Sequence, residues 1–207
     1  MKPWLFDILA CPIDKKFPLE LYIFSFENKE TEFKEILEFY KKRDIQKIKN
    51  SSIINIEENE GQLSLKDDIV IEKTPVREYL DLILLSIREF NHIHNKTSLA
   101  TSNECFNTAS SILVEKITNL QNQSDFSDIE NILPELYFLN KLKIEIEIET
   151  GLLFCPECCR WFPIIETIPQ MLPDEFRNAD EEIKFLNTNK HLLDDTFLKQ
   201  DLKPFKI

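Results

Sequence analysis

Residues 143–165 read Lys143-Ile-Glu-Ile-Glu-Ile-Glu149-Thr-Gly151-Leu-Leu-Phe154-Cys155-Pro-Glu-Cys158-Cys159-Arg160-Trp-Phe-Pro-Ile-Ile165. The alternation at 143–149 predicts a strand, with Ile144, Ile146 and Ile148 on one face and three glutamates toward water. Gly151 is expected at a tight turn. Cys155-Pro-Glu-Cys158 has the spacing that lets two thiolates reach one metal from a tight knuckle. Downstream, Ile168-Pro-Gln-Met171-Leu172 is again apolar, and Glu166-Thr167 is the only polar break between it and Trp161–Ile165. Successive strand residues point to opposite sides, so a small sheet cannot bury all of this stretch on one face. Ile164, Ile168, Pro169, Met171 and Leu172 are therefore candidate partner-binding residues. Beyond Asp174 the chain is charged and helix-like.

Upstream the period is different. Phe33, Ile36, Leu37 and Tyr40 follow helical spacing within 30–49, and Val76 to Phe90 carries an apolar stripe opened by Thr74-Pro75. Helical spacing returns at 106–120, and another helix is expected over 125–140. The polar stretch 91–103 reads as a loop, with His92 and His94 exposed in it. Cys105 falls on an apolar helical face, which points to core packing. Near the start, residues 17–26 (FPLELYIFSF) are apolar enough for a buried strand. They follow Cys11-Pro-Ile-Asp14. The layout is nested, and the expected class is α+β. A small antiparallel zinc-ribbon-like sheet is built from 1–28 and 141–173. A mainly helical insertion spans 30–140, and a charged helical tail spans 174–207.

A carboxylate can ligate zinc, so Cys11, Asp14, Cys155 and Cys158 make a Cys3Asp candidate site. The alternative is that packing alone holds the two loops, with Cys11 as a small buried hydrophobe. Cys159 is a spare donor. A redox role for the C-x-x-C would need a following helix, but Pro163 and Pro169 follow instead.

Composition excludes several classes. The chain has 207 residues, 25 basic against 37 acidic, and a net charge of −12. That sign disfavours direct phosphate tracking. There are 2 glycines, where ordinary usage gives about 14, so no glycine-rich phosphate loop can form. No apolar run is long enough to span a membrane. Five cysteines at uneven spacing make a poor disulfide framework. The chain reads as cytoplasmic. No nucleophile, base and orienting group can be assembled, so no catalytic residues are assigned.

Cys11-Pro-Ile-Asp-Lys-Lys-Phe-Pro-Leu-Glu-Leu21, Gly151-Leu-Leu-Phe-Cys-Pro-Glu-Cys-Cys-Arg-Trp-Phe-Pro-Ile164 and Ile168-Pro-Gln-Met-Leu-Pro173 together resemble the activator-subunit family of tRNA methyltransferases. The resemblance covers the two ends, about a third of the chain. It implies a non-catalytic subunit that pairs as a heterodimer with class I methyltransferases and keeps them soluble. The catalytic partner would hold S-adenosylmethionine, which this chain itself would not bind. It would also make the RNA contacts, with tRNA, rRNA or a translation release factor as substrate. Two positions depart from the family pattern. Asp14 stands where zinc-binding members have a second cysteine, and Cys159 stands where glycine is common, which leaves open whether Cys159 replaces Cys158 as ligand. The competing reading is a stand-alone zinc-ribbon module binding nucleic acid or a transcription component. Three basic against five acidic residues between Lys141 and Leu172 disfavour it.

Overall fold

The computed structural model describes residues 1–59, 61–123 and 125–206. The strands are β1 (Glu20–Phe26), β2 (Asn55–Asn59), β3 (Gln62–Lys66), β4 (Thr74–Pro75), β5 (Ile93–Asn95), β6 (Ile148–Phe154), β7 (Trp161–Ile165) and β8 (Ile168–Pro169). The α-helices are α1 (Pro3–Phe6), α2 (Glu30–Lys42), α3 (Ile45–Ser51), α4 (Val76–Arg88), α5 (Ala100–Asn107), α6 (Val114–Gln121), α7 (Leu133–Asn140), α8 (Ala179–Asn189) and α9 (Asp195–Leu198). The class is α+β. Two compact units form: one from Met1–Glu27, His92–Ser98 and the chain from Glu147 on, the other from Asn28–Asn91 and Leu99–Ile146.

The first unit is a five-stranded sheet in the order β5-β1-β6-β7-β8. Residues from both ends of the chain therefore share one sheet, as expected. Its pairs are antiparallel except β1 with β5. In β1 the apolar run buries both faces of the strand. On one face, Tyr22, Phe24, Leu152, Phe154 and Trp161 pack against Leu186, Leu193, Phe197 and Leu202 of the C-terminal segment. Buried Arg177 fixes the start of that segment. Its guanidinium donates to Glu182 at 3.0 and 3.1 Å and to the Trp161 carbonyl at 2.7 Å.

The 91–103 loop expectation needs correction. Residues 93–95 form β5, held by the open edge of β1 rather than by their own propensity. Glu20 clasps both histidines, at 3.0 Å to His92 and 2.8 Å to His94, and His94 stacks on Tyr22. The strand predicted at 143–149 is also shorter. A π-helical segment, Lys141–Glu145, continues α7, and β6 begins at Ile148. Lys143 is fully buried with its ammonium 4.3 Å from the Phe90 ring centroid. Packing of the preceding helix overrides the local period of two.

Gly151 lies within β6, not in a turn. A Cβ there would sit 2.7 Å from the backbone carbonyl of Tyr22. The strands approach too closely at this point for any side chain. Gly151→Ala is therefore expected to destabilise the sheet unit by about 1–3 kcal/mol. Urea unfolding would show a lower midpoint with an unchanged slope.

The second unit packs α2–α7 with the hairpin β2–β3 and the short β4. Fully buried Glu135 accepts from Arg43 at 2.6 Å and Lys116 at 2.5 Å. Burial pushes its carboxyl up, but the two cations outweigh this and hold it below the usual range. Asp67 accepts from Tyr79 at 2.6 Å, from Asn140 at 2.8 Å and from two backbone amides. Both of these buried carboxylates are satisfied, as burial of charge requires.

Candidate metal centre and open sheet edge

The two cysteine loops follow the same backbone path. Cys11 N–H donates to the carbonyl of Lys16 at 2.9 Å, and Cys155 N–H to that of Arg160 at 2.8 Å. The fifth residue of each loop is left-handed, Lys15 at φ 62° and Cys159 at φ 56°. That conformation costs a non-glycine residue about 1–2 kcal/mol, so both loops hold local strain. The side chain of Cys159 packs against the sheet and C-terminal cluster. Its carbonyl accepts from Lys203 N–H at 2.9 Å.

These paths bring Cys11, Asp14, Cys155 and Cys158 together, with one donor atom from each lying within 4.8 Å of the others. The group could hold a metal ion. Cys11 Sγ and Cys158 Sγ are 3.7 Å apart, and Cys155 Sγ lies 3.6 and 3.4 Å from the two Asp14 oxygens. Tetrahedral zinc, with Zn–S of about 2.3 Å and Zn–O of about 2.0–2.2 Å, sets S···S edges near 3.8 Å and S···O edges near 3.5 Å. The Cys11–Cys158 and Cys155–Asp14 edges match those values, and the other donor pairs lie within 4.8 Å. The sulfurs are too far apart for a disulfide, whose S–S bond is about 2.05 Å, and all five cysteines are free.

The electrostatics separate the two donor types. Burial pushes the Cys11 thiol up and the Cys155 thiol up to about 12. Asp14 is held down at about 2, first by the Lys16 amide at 3.0 Å and then by the neighbouring thiols. The carboxylate is thus ready to bind, while the thiols must release protons to a cation. Arg160, immediately after the second loop, donates to Asp174 at 2.9–3.3 Å.

The apolar stretch does not simply alternate: Trp161–Ile164 are buried in succession, on both faces of β7, before the chain opens to solvent. Ile164 is fully buried, whereas Ile165, Ile168 and Leu172 are 39%, 58% and 42% exposed. Pro169 and Met171 are half-buried. Ile165 and Ile168 face each other across the β7–β8 pair. Strand β8 ends the sheet, so its outer side pairs with no strand among the described residues. Ile165 is absent from the sequence candidates; it is exposed because it ends β7, after four buried residues. The sequence reading also missed Trp4, Ile8, Ile13 and Phe17, all exposed along the N-terminal segment. No described helix is long and apolar enough to cross a membrane.

Comparison with known proteins gives one result. The family described as Trm112p-like protein matches residues 2–166. No curated protein and no solved structure matches the chain significantly.

Proposed function

The chain belongs to the Trm112p-like family of methyltransferase activator subunits, and from that premise we propose that it is a non-catalytic activating subunit of class I S-adenosylmethionine-dependent methyltransferases. Its partners modify tRNA, rRNA or a translation release factor in the cytoplasm. The observation that carries this reading is the open β8 edge flanked by exposed Ile165, Ile168 and Leu172. A strand added there gains backbone hydrogen bonds, and the flanking side chains give selectivity. Ile168, Pro169, Met171 and Leu172 form the contact. Ile164 supports it from within the sheet.

Cys11, Asp14, Cys155 and Cys158 would hold zinc, which would cross-link the two loops. With four protein donors it would be structural rather than catalytic. Pro163, Pro169 and Pro173 limit which residues of the edge can pair, and so restrain self-association. The net charge of −12 leaves RNA to the catalytic partner.

The test is affinity purification from the native cell, with bound proteins identified by mass spectrometry. The expected result is one or more methyltransferases, each more soluble and more active when co-expressed with this chain than alone. Recovery of no methyltransferase, or activity indifferent to the chain, would overturn the reading.

A further inference from the structure

We propose that Phe176 is a pre-organised anchor that enters an apolar pocket with a basic rim on the methyltransferase. This inference rests on the proposed function and extends it beyond the family-matched region, which stops at residue 166. Phe176 is 71% exposed, yet the backbone on both sides of it is fixed. Before it, Asp174 is bound by Arg160 through three contacts of 2.9–3.3 Å. After it, the buried Arg177 guanidinium is bound to Glu182 and the Trp161 carbonyl. It lies 5.3 Å from the Trp161 ring and 5.1 Å from the Phe162 ring. Phe176 N–H itself donates to the Pro173 carbonyl at 2.9 Å. A large apolar side chain held out in water by a rigid turn has little ordering entropy left to lose on binding. Aromatic anchors of this kind dominate interface energetics.

Chemistry on the page selects the pocket. Four of the exposed large hydrophobics, Ile165, Ile168, Leu172 and Phe176, fall within twelve residues of chain, so Phe176 follows the apolar edge in sequence. Acids also flank it in the sequence. Asp174 and Glu182 are engaged by arginines. Glu175, Asp180 and Glu181 make no ion pair among the described residues, and the last two open helix α8. The complement is a cleft whose floor is apolar and whose rim carries lysine or arginine.

The experiment uses the full chain and the methyltransferase recovered with it. Phe176→Ser is expected to raise Kd ten-fold or more, and Phe176→Leu to restore most of the affinity. Thermal melting of the free chain should stay unchanged in both. The combined Glu175→Gln, Asp180→Asn and Glu181→Gln variant should bind more slowly, with a weaker dependence on salt. Equal affinity of wild type and Phe176→Ser, or an unaltered salt dependence in the charge variant, overturns this inference and leaves the activator reading standing. Recovery of no methyltransferase with the wild-type chain overturns both.

Discussion

Replacing Ile168 and Met171 together with aspartate is expected to abolish co-purification of the methyltransferase while the chain stays folded. Ile168 is more than half exposed and Met171 half-buried, so the free chain tolerates a charge at either. A complex would not. Truncating a central apolar anchor typically costs more than about 1–2 kcal/mol. A carboxylate forced into an apolar interface without a partner adds several kcal/mol. Two such sites give a loss of at least about 100-fold in affinity. Co-expression followed by pull-down measures it, and partner solubility gives a second readout. A folded double variant that still holds an active partner would place the interface elsewhere, with the exposed N-terminal set Trp4, Ile8, Ile13 and Phe17 the next surface to test.

The second large effect concerns the metal. Cys155→Ser should leave fewer than stoichiometric zinc atoms per chain by elemental analysis. It should also lower the stability of the sheet unit by about 4 kcal/mol or more, the range in which loss of a metal belongs. A chelator should shift the melting of wild type in the same direction and leave Cys155→Ser unmoved. Asp14→Cys should tighten zinc, because a thiolate replaces the hardest donor. The pH dependence has a definite sign. The thiols of Cys11 and Cys155 are raised in the metal-free chain, so binding releases protons and weakens as pH falls. Asp14, at about 2, stays ionised throughout that range and does not set the midpoint. Stoichiometric absence of zinc, with melting indifferent to chelator, would leave packing alone to hold the loops.

Much of the sheet was legible because its residues announce themselves locally. The run at 17–26 is apolar on both faces, and the two Cys-Pro loops are short motifs with fixed donor spacing. The grouping of Cys11, Asp14, Cys155 and Cys158, which could hold a metal, followed from donor chemistry. What stayed hidden depends on neighbours far along the chain. Strand β5 exists because β1 offers it an edge. Gly151 is required by a carbonyl of residue 22, not by a turn of its own. A π-helical segment at Thr108–Leu113 interrupts helical spacing that looks regular, and another at Lys141–Glu145 extends α7 into residues whose local period is two. The C-terminal segment reads as a charged helix because its few apolar residues are widely spaced. Leu186, Leu193, Phe197 and Leu202 meet only on the face of the sheet.

The nested strand order also sets a schedule for synthesis. Phe26 pairs with Ile148, 122 positions later in the chain. At about 5–20 residues per second, β1 leaves the ribosome roughly 6–24 s before its partner strand. During that interval only β5, made at residues 93–95, can pair with β1, and the side of β1 that β6 will cover stays open. The intervening unit, largely contiguous from residue 28 to 146, can fold in the meantime. A folded insert shortens the effective loop that remains to be closed, although closure entropy grows only about 0.6 kcal/mol per doubling of length. The sheet therefore closes only after the insert has been made, its covering C-terminal segment follows later still, and the four donors Cys11, Asp14, Cys155 and Cys158 cannot gather until residue 158 has been made.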